Sequence, residues 1–396
     1  MNLKHNTYDV LILGGGIAAC SAAIALKNNA PDLKVLLVER KPRVKRGKDA
    51  LRIGESLSAH SFRYLQELGV WDAFQKEGFD HSFGTSAAWG NSQMHHNEFL
   101  FSPFGYGWNL DRAAFDDFMI REAIEREVDI TFKTYLKSSK EVDEGWEVQL
   151  QKGDHRETLQ TKFIIDATGK KAAFASAQGA TKHKVDNLVG VFRFYEFPLG
   201  HAKTSQGILI ESDEKGWWYS THLSKGRFLV AYMTDADMAR NHNLKEDIVF
   251  EEHINVTRHT CLRLFGAKPL GSVALGAAHS QYLEPMASRN WLAVGDAVMS
   301  YDPLSSLGMF KGLSSGLFGA YAVMDVLKGV SGGIQKYERL MHSQWTSYSE
   351  KRTSYYNEET RFPESPFWQR RASVLQDDTI NNQLHKPNHH ETSIAI

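Results

Sequence analysis

Three consecutive glycines between two apolar segments constrain this chain more than any other feature of its 396 residues. Ahead of Gly14-Gly15-Gly16, Tyr8 to Leu13 reads as a buried strand. Behind them, Ile17 to Asn28 reads as an alanine-rich helix and Lys34 to Glu39 as a second buried strand. Parallel strands need a crossover, usually a helix, so this order opens a parallel α/β unit. The same glycines carry chemistry. Gly14-Gly15-Gly16-Ile17-Ala18-Ala19 fits G-x-G-x-x-(G/A) at Gly14, Gly16 and Ala19. Gly14 allows the tight turn, Gly16 lets the backbone approach a pyrophosphate, and Ala19 keeps helix and strand close. The helix start adds free N–H groups and a partial positive charge. Glu39, at the end of the second strand, is placed to hydrogen-bond an adenosine ribose and repels a 2′-phosphate, which favours FAD or NAD over NADP.

A second segment separates those two. Trp291 to Val294 is another buried strand, and it ends in Gly295-Asp296. An aspartate at the mouth of a parallel strand suits a polyol; FAD has a ribityl chain and NAD has none. Asp302-Pro303-Leu304-Ser305-Ser306-Leu307-Gly308 then turns into a helix expected to begin near Met309. Its N–H groups suit negative charge on a reduced isoalloxazine. FAD is the expected cofactor.

The length favours two packed domains over one core. With 46 basic and 47 acidic residues and a net charge of −1, no global field draws the chain to nucleic acid. Two cysteines, Cys20 and Cys261, provide no disulfide framework and suit a reducing cytoplasm. The uncharged stretch from Val10 to Leu26 is broken by glycines and short for a membrane span. His95-His96 and the tail histidines His385, His389 and His390 lack metal-site spacing, so no metal is expected. The basic run Arg40 to Lys48 reads as a solvated loop.

The expected fold class is α/β. A Rossmann-like FAD domain is assembled from 1–80, 110–189 and 285–330. A mostly antiparallel β substrate domain, 81–109 and 190–284, is inserted; it holds strand-like runs at Val191 to Tyr195 and Arg227 to Tyr232. A helical region spans 331–376, and the polar residues 377–396 are expected to be disordered.

The glycine turn with Glu39-Arg40, Asp166-Ala167-Thr168-Gly169 and Gly295-Asp296, in this order, resemble the aromatic-hydroxylase class of flavoproteins, the para-hydroxybenzoate hydroxylase type with its flavin-dependent halogenases. Gly54-Glu55-Ser56-Leu57 and Gly216-Trp217-Trp218-Tyr219 resemble the halogenase-like branch. Arg112 resembles the family arginine that contacts the cofactor. Tyr355 to Pro363, with Pro366-Phe367-Trp368 beyond, is similar to the tail of the maturation flavoproteins that oxygenate a partner enzyme's tryptophan to build a tryptophylquinone. The resemblance implies cofactor contacts at Gly14, Gly16, Ala19, Glu39, Arg40, Arg112, Asp166, Gly295, Asp296, Pro303 and Gly308. It also implies O2 as co-substrate, a reductant such as NAD(P)H or a separate reductase, and a C4a-hydroperoxyflavin attacked by an electron-rich aromatic ring.

Halogenases of that branch carry Trp-x-Trp-x-Ile-Pro and a lysine. Here Trp217 to His222 lacks the Ile-Pro, Phe83 to Gly90 holds no lysine, and Lys76 lies in a charged helical context. The reading is therefore a monooxygenase whose target is a tryptophan of a partner protein. Behind it stand a monooxygenase of a free small aromatic, a halogenase and a non-catalytic FAD-fold carrier. Catalytic candidates are His222, Trp218 and Tyr219, with Trp89, Trp108 and Trp217 as further aromatics for a pocket or a sheet core.

Overall fold

The computed structural model describes residues 3–43, 53, 56–98, 105–198, 207–223 and 226–372. Part of the basic run, Gly54-Glu55 and the polar tail lie outside them.

Thr7–Leu13 is apolar and buried over its last four residues, as a central strand with both faces covered must be. It pairs in parallel with Val35–Glu39 on one side and with the end of His155–Asp166 on the other. Asp129–Phe132 and Trp291–Ala293 extend the parallel core outward from those two strands. Tyr135–Val142, Gly145–Lys152 and the first half of His155–Asp166 form an antiparallel meander on the same sheet. The parallel strands all end on one side of the sheet, and Leu13, Glu39, Asp166 and Ala293 stand at that rim.

The helix Ile17–Asn29 is buried nearly all round because it is covered on two sides. The sheet lies on one side and the twenty-residue helix Gly308–Leu327 on the other. Their crossing is close: a Cβ on Gly316 would fall 2.4 Å from the Ala18 carbonyl oxygen and 2.8 Å from Ser21 Cβ. The Ser21 hydroxyl donates to the Leu313 carbonyl at 2.8 Å, joining the two helices.

A second sheet has seven strands in the order Lys268–Ala277, Leu188–Glu196, Arg227–Asp235, Gly216–His222, Ile208–Asp213, Gly84–Ala88 and His95–Glu98. All neighbours are antiparallel except Ile208–Asp213 with Gly84–Ala88. Its two faces feed separate cores, one around Trp217, Leu229 and Phe367 and one around Trp218, Tyr232 and Phe250. The expected strands and helices are present with shifted ends: Lys34 to Glu39 begins at Val35, and Trp291 to Val294 ends at Ala293. Val191 to Tyr195 extends to Leu188–Glu196, and the helix Arg112–Glu125 starts behind an Asp111 cap. The helix expected near Met309 is Gly308–Leu327, and the helical region 331–376 holds Gly333–Glu358 and Pro366–Ala372, the last packing Phe367 and Trp368 under the seven-stranded sheet. Among the described residues no helix is long and apolar enough to cross a membrane.

Candidate cofactor and active site

The rim of the parallel sheet opens into two cavities. One, of about 770 Å³, is walled by Gly14, Gly16, Glu39, Arg40, Phe132 and Phe174 among others. The other, of about 400 Å³, reaches from Gly16 and Ala19 to Asp296, Pro303 and Gly308. Gly16, Arg112, Ala167 and Gly169 border both, so the two are reaches of one trench passing over the glycine turn.

The glycine turn earns its composition residue by residue. Gly14 has φ +118°, and a Cβ there would fall 2.2 Å from the Ala167 carbonyl oxygen. Gly15 donates its N–H to Glu39 Oε2 at 2.7 Å. A Cβ on Gly16 would meet no protein atom within 4 Å; it would stand in the trench where a ligand backbone passes. No side chain caps the helix that follows, so its orphan N–H groups are available to a diphosphate. Glu39 Oε1 accepts from the Lys41 N–H at 2.6 Å. Each oxygen of Glu39 thus accepts one protein hydrogen bond and keeps capacity for a ribose hydroxyl.

Asp166 stands apart from the other cofactor candidates, because it borders neither cavity. Its buried carboxylate accepts from the Thr168 N–H at 2.9 Å, the Thr168 hydroxyl at 2.7 Å and the Ala175 N–H at 2.8 Å. It shapes the Ala167-Thr168-Gly169 turn, which does border the trench.

At the other reach, Gly295 (φ +65°) lies just past its strand and donates its N–H to the Ser315 hydroxyl at 2.9 Å. Asp296 follows, its side chain 44% accessible through the cavity although protein surrounds it elsewhere. Burial pushes its carboxyl up, but Lys311, Lys170 and Arg112 prevail and hold it below the usual carboxylate value. Arg112 is itself ion-paired to Asp116 at 2.9 Å. The Lys311 side chain is 1% exposed and donates to Asp296 Oδ1 and to the Met299 carbonyl. Lysine is rarely so buried without a partner, and here the partner borders the cavity. Lys170 also borders it and donates to the His279 carbonyl at 3.0 Å; burial lowers its amine below the ordinary lysine value. Neither lysine was a candidate from sequence. For Lys311 a signal existed: one charge near the start of an apolar helix.

Asp302 borders the same cavity from a buried network. Its Oδ2 accepts from the Tyr356 hydroxyl at 2.7 Å, and Arg352 lies 3.5 Å away while also pairing with Asp186 at 2.7 Å. The Tyr348 hydroxyl accepts from the Asp302 N–H at 2.7 Å. Burial raises the Asp302 carboxyl above its usual value, more than Arg352 lowers it.

The opposite wall is one face of the seven-stranded sheet: Gly190, Phe192, Tyr219, Ala231, Met233 and Gly276. Strand alternation decides between the three catalytic candidates. Tyr219 faces the cavity. Trp218 and His222, of opposite parity, turn to the other face, where Trp218 donates to Asp213 at 3.1 Å and His222 packs on Phe197 and Phe228. Trp217 and Trp89 lie in the core with Tyr356, and Trp108 packs on Trp71 and Phe74, so among these aromatics only Tyr219 borders the trench.

A trench that passes over a glycine turn, with Glu39 at one end and Asp296 beside a flat apolar wall at the other, suits an FAD-dependent oxidoreductase, and the family match agrees. The chain belongs to the FAD binding domain family, which it matches over residues 7–344. It is 30% identical over 375 residues to LodB of Marinomonas mediterranea, named as an FAD-dependent oxidoreductase, covering 93% of this chain and 99% of that one. Among solved structures it resembles the myxobacterial chondrochloren halogenase CndH, an FAD-dependent halogenase, with TM-score 0.83 at 20% identity, covering 96% of this chain and 90% of that one. It also resembles QhpG, a peptidyl tryptophan dihydroxylase essential for tryptophylquinone cofactor biogenesis, with TM-score 0.67 at 20% identity and coverage of 92% and 78%. The fold is that of the flavin-dependent aromatic hydroxylases and halogenases.

Proposed function

We propose that this chain is an FAD-dependent monooxygenase that hydroxylates a tryptophan ring of a partner polypeptide during tryptophylquinone formation. FAD, when bound, supplies the activation of O2 and the transfer of its oxygen. The chain's residues do the rest. The turn Gly14–Gly16 and its helix hold the diphosphate, Glu39 the ribose and Asp296 the ribityl arm. Lys170, Lys311 and the uncapped start of Gly308–Leu327 provide positive potential where a reduced ring gathers negative charge.

The observation that carries the reading is the composition of the sheet wall. Phe192, Met233 and small residues make it apolar, and the Tyr219 hydroxyl is its one polar side-chain group among the described residues. Such a wall excludes water and packs a flat ring, and it presents no lysine. The strand Gly84–Ala88, which resembles the lysine-bearing strand of halogenases, sits three strands from Arg227–Asp235 towards the far edge of the sheet. The cavity of about 400 Å³ has to hold the flavin ring together with whatever it acts on. A peptidyl indole and a free indole need the same room there; QhpG, which shares the fold and is a peptidyl tryptophan dihydroxylase, supports the polypeptide.

The test is anaerobic reduction of the FAD-loaded protein followed by oxygen, watched at flavin wavelengths, with tryptophan-containing polypeptide, free indoles and bromide compared. The expected result is faster decay with polypeptide and an oxygen-atom mass gain on its tryptophan. Acceleration by free indole alone would move the reading to a small aromatic, and a brominated product to a halogenase.

A further inference from the structure

The two edges of the seven-stranded sheet differ. His95–Glu98 is short and polar, a well-guarded edge. The other edge, Lys268–Ala277, is ten residues long, carries no charge after Lys268, and runs to the flavin cavity, which Gly276, Ala277 and Ala278 border. Uncharged edges are templates for strand addition, and sheets normally guard them.

Hydrogen-bond parity shows which groups are offered. The Ala278 N–H donates to the Leu188 carbonyl at 3.1 Å, and the pairs continue as Val189 with Ala277, Gly190 with Gly276, Val191 with Leu275 and Phe192 with Ala274. Hydrogen-bonded and open pairs alternate in an antiparallel ladder. Ala274 and Gly276 therefore turn their N–H and C=O inward, and Leu275 and Ala277 turn theirs outward. Val273 obeys the same parity: its N–H points outward and is taken by Asp247 Oδ1 at 2.9 Å. Past that cap, the order of strands places no further strand against Leu275 or Ala277 among the described residues, and Leu275 is 49% exposed.

We propose that the Leu275–Ala277 edge docks an extended segment of the substrate polypeptide as an added strand. The occupant follows from two observations. The offered groups are main-chain N–H and C=O pairs at a two-residue spacing, which an extended peptide backbone matches. The edge is also continuous with the cavity, through a position that has no side chain. A residue paired across from Gly276 puts its side chain on Gly276's face of the sheet, beside Phe192 and Ile53, which a Cβ on Gly276 would approach to 3.5 and 3.7 Å. A tryptophan at that place reaches the apolar wall, while its flanking backbone is held outside. The inference rests on the reading of the chain as a polypeptide monooxygenase.

The test uses the FAD-loaded full chain and two blocked decapeptides with one central tryptophan. One is unmodified; the other is N-methylated at alternate amides so that it cannot pair as a strand. The unmodified peptide should slow hydrogen exchange at the Leu275 and Ala277 amides, and the methylated one should bind about tenfold weaker or worse. Leu275→Pro removes an outward N–H and no ladder bond, so FAD content and oxygen reactivity should hold while peptide binding falls by a similar factor. Equal binding of both peptides, or no binding of either at millimolar concentration, overturns the docking. Equal hydroxylation of both peptides overturns it and leaves the monooxygenase standing. Protection at Leu275 and Ala277 with no oxidation of the peptide keeps the docking and sinks the monooxygenase.

Discussion

The two ends of the trench are built by different means. At the adenosine end, neighbours in sequence make the site: Gly14, Gly15 and Gly16 lie within one turn, and Glu39 reaches Gly15 from the adjacent strand. At the ring end, the cavity is closed by residues from across the chain, with Lys170, Tyr219, Asp296 and Asp302 meeting over 132 positions or more of sequence from first to last. Backbone shape governs the first end and long-range packing of charge governs the second. Substitutions should therefore fail differently at the two.

The largest effect is expected at the ring end. Arg352→Ala leaves the buried carboxylates of Asp302 and Asp186 uncompensated, and denaturant unfolding should show a loss of about 3–5 kcal/mol. A loss below about 1 kcal/mol would mean that packing alone holds this end. Next comes Gly14→Ala, which forces a side chain into φ +118° and against the Ala167 carbonyl. About 1–3 kcal/mol of strain is expected, and the purified protein should be colourless. A yellow, stable variant would break the assignment of this turn to the diphosphate.

Glu39→Gln should act mainly on affinity, with a smaller loss of stability because its NH2 replaces one of the two oxygens that accept from the Gly15 and Lys41 N–H groups. Losing charge-assisted hydrogen bonds to the ribose costs about 1.5–3 kcal/mol, so FAD should bind about ten- to a hundredfold weaker by fluorescence titration. The smallest effect is electrostatic. Lys170→Met removes one cation near Asp296, and the two-electron potential of bound FAD should fall on the order of 30 mV, about 1.4 kcal/mol. The sign of the pH response follows from Asp296. Its carboxyl is held below the ordinary value, so its contribution to FAD retention is complete above that value and declines as pH falls through the lower one. Lys170→Met should move that acid-side decline to higher pH, and Asp296→Asn should abolish it.

The contrast also explains what could be read in advance. Gly14, Gly16, Ala19 and Glu39 are spaced by the geometry of one strand–turn–helix–strand unit, so their sequence carries their arrangement. Asp296 was legible for the same reason, as the end of a strand. Asp166 shared the strand-end signal but turned inward, because Thr168 and Ala175 offer it three donors within nine residues. His222 and Trp218 were indistinguishable from Tyr219 until register fixed which face met the cavity. Lys170 acquires its role only through its proximity to Asp296, which no local pattern encodes.

Tyr348, Arg352 and Tyr356 all bind Asp302, and all lie beyond residue 344, where the family match ends. The loop that carries Asp302 into the cavity is thus clamped from the part of Gly333–Glu358 that lies past the family match. That helix works as an adjustable bracket. Change along it can re-aim that loop without touching the glycine turn, whose Gly14 borders only the other reach of the trench.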